Sequence, residues 1–270
     1  MKPVKLAILL LLFFTAVLDT TAQDLVEAKY YGGRQSLKAF INAEMLYPEK
    51  ALKNNTEGTV VIYFVVDENA CVIEKTIRLS VSPEIDNEAL RLFSKILWYP
   101  ASLNSNPVSV KQSFPVQFDI KKYSRIVKRR GYSELKYPTE AIDSSNKIYD
   151  TGKLDKLPVP FFGEKDMNFA KFIAKNTRYP EAAFKQNISG TVKLQFVVEP
   201  SGNVSNCIVV ENVGGGCNEE AQRVIGMIKW KAGIKNNMAV RTMIQIGITF
   251  GSGGDSAFEY FPTHHGSGMQ

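Results

Sequence analysis

The chain has 270 residues, 44% of them hydrophobic and 22% charged, with a formal charge of +6 at neutral pH. That composition is ordinary for a folded protein, excludes a collagen-like or low-complexity polymer, and at this length suggests roughly two domains. Three cysteines, Cys71, Cys207 and Cys217, are too few for a disulfide scaffold and allow a single internal pair.

Residues 1–22 read as a secretory signal peptide. Lys2 and Lys5 precede an apolar run from Leu6 to Leu18, and Thr20, Thr21 and Ala22 make a small-residue exit, so cleavage is expected before Gln23. An uncleaved membrane anchor is the alternative, although the run is short of the roughly 18 to 20 residues of a spanning helix.

After a lead-in ending in Tyr30, Tyr31, Gly32 and Gly33, Ser36 is expected to cap a helix with Leu37, Phe40 and Ile41 on one face, interrupted by Pro48. Thr59 to Val66 and Val72 to Val81 read as an antiparallel hairpin, and Asp86 opens a second helix carrying Ala89, Leu90, Phe93, Ile96 and Leu97. Val108 to Phe118 alternates as a third strand, with Pro115 marking an edge or a bulge. Residues 121–157 read as a linker with a short ordered piece near Tyr137 and Pro138. Its basic cluster of Lys121, Lys122, Arg125, Lys128, Arg129 and Arg130 is read, in an exported chain, as a solvated stretch rather than a nucleic-acid face.

The chain then repeats itself. An offset of 132 residues carries Tyr47 to Tyr179, Gly58 to Gly190, Phe64 to Phe196, Ala89 to Ala221, Trp98 to Trp230 and Phe118 to Phe250 without a gap. A period this long means two copies of a whole small domain rather than a solenoid. The expected class is α+β: two tandem two-layer domains, residues 30–120 and 158–250, each a three-stranded antiparallel sheet with two helices in the order α-β-β-α-β. Residues 251–270 are Gly- and Ser-rich and read as a flexible tail.

No catalytic constellation emerges. His264 and His265 lie in the tail, Glu219 and Glu220 suit a helix N-terminus, and Gly214 to Gly216 lack the spacing of a phosphate-binding loop. Cys207 and Cys217 fit buried thiols or a disulfide equally well. No catalytic, cofactor-binding or metal-ligating residue is assigned, and the chain is not expected to be an enzyme.

In their order these marks resemble the C-terminal domain of TonB, in a version common in Bacteroidetes. The pattern is carried by Tyr179, Pro180, Ala183, Gly190, Val192, Phe196, Val198, Gly202, Ala221, Trp230 and Phe250. A more divergent first copy has Tyr47, Pro48, Ala51, Gly58, Val60, Phe64, Val66, Asp86, Ala89, Trp98 and Phe118, with Ala70 where the hairpin Gly is expected. The resemblance implies a periplasmic protein that binds the N-terminal peptide box of TonB-dependent outer-membrane transporters by strand addition on its last strand. Carried onto this chain, the partner-binding residues are Arg178, Tyr179, Pro180, Val240, Arg241, Thr242, Met243, Ile244, Gln245 and Ile246. Tyr47, Pro48 and Val108 to Phe114 are their counterparts in the first copy, which is expected to be mainly structural. A second reading of Tyr-Pro is that it ends a helix and packs on the sheet. An uncleaved anchor would add the inner-membrane proton-channel complex as a partner and place the chain in the inner membrane facing the periplasm. The chain lacks the Pro-rich spacer of an energy transducer, so the alternative function is an envelope scaffold of paired domains, with a homodimer among its forms.

Overall fold

The structure is a computed structural model and describes residues 24–135, 137–138, 140–163, 166–251 and 258–261. The expected signal at residues 1–22 and both histidines lie outside the described residues.

In the first copy β1 (Lys29–Tyr30) leads into α1 (Gly33–Glu44), and Pro48 starts α2 (Glu49–Lys53). The cap of α1 is Gly32 rather than Ser36, with a left-handed φ of 74°. A side chain there would collide with the Cys207 carbonyl, 2.1 Å from an ideal Cβ, so the Gly32 position is what lets α1 lie against the second copy. The hairpin forms as β2 (Gly58–Val66) and β3 (Val72–Leu79), followed by α3 (Pro83–Phe93), β4 (Trp98–Tyr99) and β5 (Val110–Phe118). Ser82 caps α3, accepting from the Ile85 amide at 3.4 Å, so the helix starts three residues before Asp86. Asp86 is diverted to the Ser80 hydroxyl and the Val81 amide, at 2.5 and 3.0 Å.

Along β2 the alternate residues Val60, Ile62, Phe64 and Val66 are buried. They meet Phe93, Trp98, Phe114 and Phe118 in one core, each large side chain contributing about 1.5–3 kcal/mol by its burial. The strand order is β3-β2-β5, with β2 and β5 paired from Gly58 opposite Phe118 to Val66 opposite Val110.

The segment read as a linker is not one throughout. Asp119 accepts from the Lys122 amide at 2.6 Å and Gly131 closes the far end at φ 78°, so residues between them form a helix, α4 (Ile120–Arg130). Tyr123 and Ile126 are its buried face, and the Arg130 guanidinium donates to the carbonyls of Asn42, Ala43 and Met45 at 3.0, 3.2 and 2.9 Å. The basic run is thus half solvated and half a clasp on the end of α1. Downstream come β6 (Ile148–Asp150) and β7 (Val159–Phe161).

The second copy comprises α5 (Phe169–Asn176), α6 (Glu181–Lys185), β8 (Gly190–Val198), β9 (Val204–Glu211), α7 (Cys217–Ile225), β10 (Lys229–Lys231) and β11 (Met238–Phe250). Its central pairing runs from Gly190 opposite Phe250 to Val198 opposite Thr242, the register of the first copy displaced by the repeat offset. Gly202 takes the hairpin turn at φ 76° and receives the Trp230 amide at its carbonyl, 2.9 Å away. Ala70 adopts the same turn at φ 67°, a conformation that costs a side-chain-bearing residue about 1–2 kcal/mol.

The sheet of the second copy does not stop at three strands. β6 pairs in parallel with Arg241 to Met243, and β12 (Phe258–Phe261), from the segment read as a flexible tail, pairs antiparallel with Gln245 to Ile248.

Four ionised side chains hold the copies together. Lys95, at the end of α3, lies 3.0 Å from Glu44 at the end of α1 and 3.0 Å from Glu199 in the second hairpin. Arg241 of β11 reaches Glu199 at 2.9 Å. Asn203 and Ser201 bond the other oxygen of Glu44, and Ser205 donates to Glu199 at 2.5 Å. Glu44 and Glu199 are fully buried. Burial alone would raise the Glu199 carboxyl, but Arg241 and Lys95 overrule it and pull it down to about 2.

Replacing Lys95 by Met leaves two buried carboxylates short of a cation, so the junction is expected to lose about 3–5 kcal/mol. Calorimetry checks this as a lower melting temperature with the copies melting separately. Because the folded value of Glu199 is depressed, its stabilisation is complete above the unfolded value of 4.5 and is lost as pH falls toward about 2. An acid titration of the wild-type chain is expected to weaken the junction in that window, and unchanged stability down to its lower end would overturn the assignment.

Candidate functional site

The two Tyr-Pro pairs occupy equivalent positions. The Tyr47 hydroxyl donates to the Thr56 carbonyl and the Tyr179 hydroxyl to the Ile188 carbonyl, each at 2.6 Å. Pro48 and Pro180 sit just before α2 and α6, where a missing N–H costs nothing. Tyr47 packs edge-on against Phe118, and Tyr179 stacks on Phe250. Burial, with help from the charges of Glu57 and Asp119, pushes the Tyr47 hydroxyl up to about 12. The Tyr-Pro pair therefore ends one helix, starts the next and packs on the last strand.

Of Glu219 and Glu220, both expected only to suit a helix N-terminus, Glu220 has a larger part. Glu220 accepts the Arg178 amide at 2.6 Å and pairs with Arg223, whose guanidinium also reaches the Asn176 carbonyl at 2.6 Å. Glu88 and Arg91 repeat this in the first copy, on the Leu46 amide at 2.8 Å and the Glu44 carbonyl at 2.7 Å. The clamp fixes the chain just before each Tyr-Pro. Its signal was available as a Glu-x-x-Arg present in both copies at the repeat offset. Burial works against the charge of Glu220, but the bonds from Arg223 and the Arg178 amide hold its carboxyl below the usual range.

Of the residues expected on the binding strand, Val240, Arg241, Thr242, Met243, Ile244 and Ile246 are buried and Gln245 is half-buried. The outer edge of β11, expected to be free, is filled by β6 and β12. Arg241 turns into the junction, where it also donates to the Lys95 carbonyl at 2.7 Å. Arg178 is exposed, and Tyr179 and Pro180 lie at the Phe250 end of the strand, away from Val240 to Thr242.

The first copy is the open one. Among the described residues β5 pairs with β2 alone. Its residues Gln112 to Gln117 instead line a groove of about 990 Å³, closed on the far side by α1 and α4 through Lys38, Ile41, Lys122 and Ile126. The residues of β11 covered by β6 and β12, Arg241 to Ile248, correspond at the repeat offset to Ser109 to Val116. The same backbone edge is thus covered in one copy and bare in the other.

Residues 43–120 and 175–251 each match the family of the Gram-negative bacterial TonB protein C-terminal. The two matches cover more than half of the chain. It belongs to the TonB C-terminal family. No curated protein and no solved structure matches it. Membership makes the chain a TonB-like protein of envelope energy transduction, in a family whose domain is a non-enzymatic transport and interaction module. TonB domains are periplasmic and meet TonB-dependent outer-membrane receptors. Among the described residues no helix is long and apolar enough to cross a membrane, and no three His, Cys, Asp or Glu side chains group as metal ligands. Cys207 and Cys217 are free thiols buried in the second core, and burial pushes Cys207 up to about 12.

Removing the first clamp with Glu88→Ala strands the Leu46 amide and leaves the Arg91 guanidinium with Glu44 alone, and is expected to cost about 2 kcal/mol. Chemical denaturation checks this, and a change below a few tenths of a kcal/mol would show that the clamp is ornamental.

Proposed function

We propose that this protein acts in TonB-linked transport across the outer membrane by binding an extended segment of a TonB-dependent transporter as an added strand. The open edge of β5 in the first copy is the primary station. A single observation carries this reading: among the described residues β5 leaves its outward edge unpaired along a groove, while the equivalent edge of β11 is filled by the chain itself. An unpaired edge offers main-chain donors and acceptors to an incoming strand, and the groove beside it offers pockets for alternate side chains. Arg178, Tyr179, Pro180 and Val240 to Ile246 form the corresponding station of the second copy, reached by a partner strand that displaces both β6 and β12.

The second reading, a scaffold of paired domains, draws support from the buried ionic junction, which suits a rigid two-domain unit. The two readings differ in what covers β5. A peptide bearing a transporter box is expected to shift the backbone amide signals of Gln112 to Gln117 and protect them from hydrogen exchange. No binding up to millimolar peptide, together with a concentration-dependent dimer protected along β5, would instead establish the scaffold.

A further inference from the structure

A second cavity, of about 810 Å³, lies apart from the β5 groove and is built largely by residues outside the two family matches. One wall is apolar: Leu157, Val159 and Phe161 follow one another at every second position and are 49%, 52% and 54% exposed. Side chains at that spacing share one face of an extended segment, here about 13 Å long. Trp230, Ala232 and Ile234 continue the apolar lining. Trp230 is 6% exposed, and its indole N–H has no acceptor among the described residues.

Cations flank this stripe: on the paired strand β10, Lys231 stands directly across from Val159 and Lys229 directly across from Phe161, on the same face. Two cations approach the Tyr132 ring, Arg130 at 4.6 Å and Lys229 at 4.6 Å from its centroid. Among the described residues neither is paired with a carboxylate. Arg130 spends its donors on carbonyls, and Lys229 donates to the Tyr132 hydroxyl and to Asn203. Among the described residues Lys156 and Lys231 also line the cavity, and Glu140 is the one carboxylate there. Two like charges fixed on one ring repel each other, and an anion beside Arg130 and Lys229 relieves that repulsion. The volume falls within the range of small-molecule sites, in which an apolar lining surrounds a few fixed polar groups.

We propose that this cavity binds a monomeric anionic amphiphile, an aliphatic chain with a carboxylate or phosphate head. The head lies toward Arg130 and Lys229, and the chain lies along Leu157, Val159 and Phe161. Such a site is distinct from strand addition at β5 and does not depend on it.

Decanoate titrated into the full chain below its micellar concentration tests this by proton–nitrogen correlation spectra. Saturable shifts are expected at the Trp230 indole and at the amides of Lys231 and Ala232, with none along Gln112 to Gln117. Trp98→Phe identifies which indole signal is Trp230, and the Lys231 and Ala232 amides report the site should that variant not fold. The double change Lys156→Glu and Lys231→Glu, at two exposed positions, is expected to weaken decanoate binding about fivefold or more. Decyltrimethylammonium is expected to bind less tightly than decanoate. Equal binding of the cationic and anionic chains, shifts confined to other parts of the protein, or binding of an acidic tetrapeptide without binding of decanoate would each overturn the proposal.

Discussion

Everything in the arrangement of the two copies turns on Glu44, Lys95, Glu199 and Arg241. Each copy contributes one anion and one cation, and Lys95 bridges Glu44 of its own copy to Glu199 of the other, so the set is fully paired only when both copies are in place. Desolvating four charges costs several kcal/mol per ion, and only close pairing with every lone pair satisfied offsets it. Ser201, Asn203 and Ser205 supply those remaining bonds, all from the second hairpin. The contact is therefore demanding in geometry. A slip of one copy against the other would leave a charge unpaired in a dry environment, which makes the junction selective for one relative placement.

That placement decides which edge is available. Arg241 belongs to β11, so the last strand of the second copy is tied to the junction by its own side chain. The segment connecting the copies then runs beside it and adds β6, with the Arg241 guanidinium also donating to the Asn146 carbonyl at 3.1 Å. The first copy has Ser109 at the equivalent position and no such tie. Duplication followed by commitment of one edge to the interior leaves two domains of the same register with different exposed backbone. The better-preserved copy is consequently the covered one, and the divergent copy is open.

Much of this was legible in the sequence and some was not, for identifiable reasons. The two domains and their strand register follow from the repeat offset, because alternation and turn residues fix which faces are buried. The helix α4 could have been found from Asp119 and Gly131 at its ends with Tyr123, Ile126 and Arg130 between them, but six basic residues masked its periodicity. The junction could not be read from either copy alone. Its members are drawn from both copies, and their counterparts are Asn176 for Glu44, Met227 for Lys95, Asp67 for Glu199 and Ser109 for Arg241. Three of those four comparisons set a charge against a neutral residue, so the trace of the junction is in where the repeat fails. The cover on β11 was illegible because β6 and β12 are a few residues long and gain their order from the strand they pair with.

An edge that is to accept a partner must still avoid indiscriminate pairing. Natural sheets manage this with charges and proline on the edge strand, and β5 has both: Lys111 is exposed, and Pro115 interrupts the run of backbone donors opposite Val61. Helix α4 adds a second restriction, because with α1 it narrows the approach to the groove rather than leaving the strand bare. Arg130, whose bonds to the end of α1 hold α4 in place, also forms one wall of the second cavity. The clasp thus stands between the two candidate binding regions.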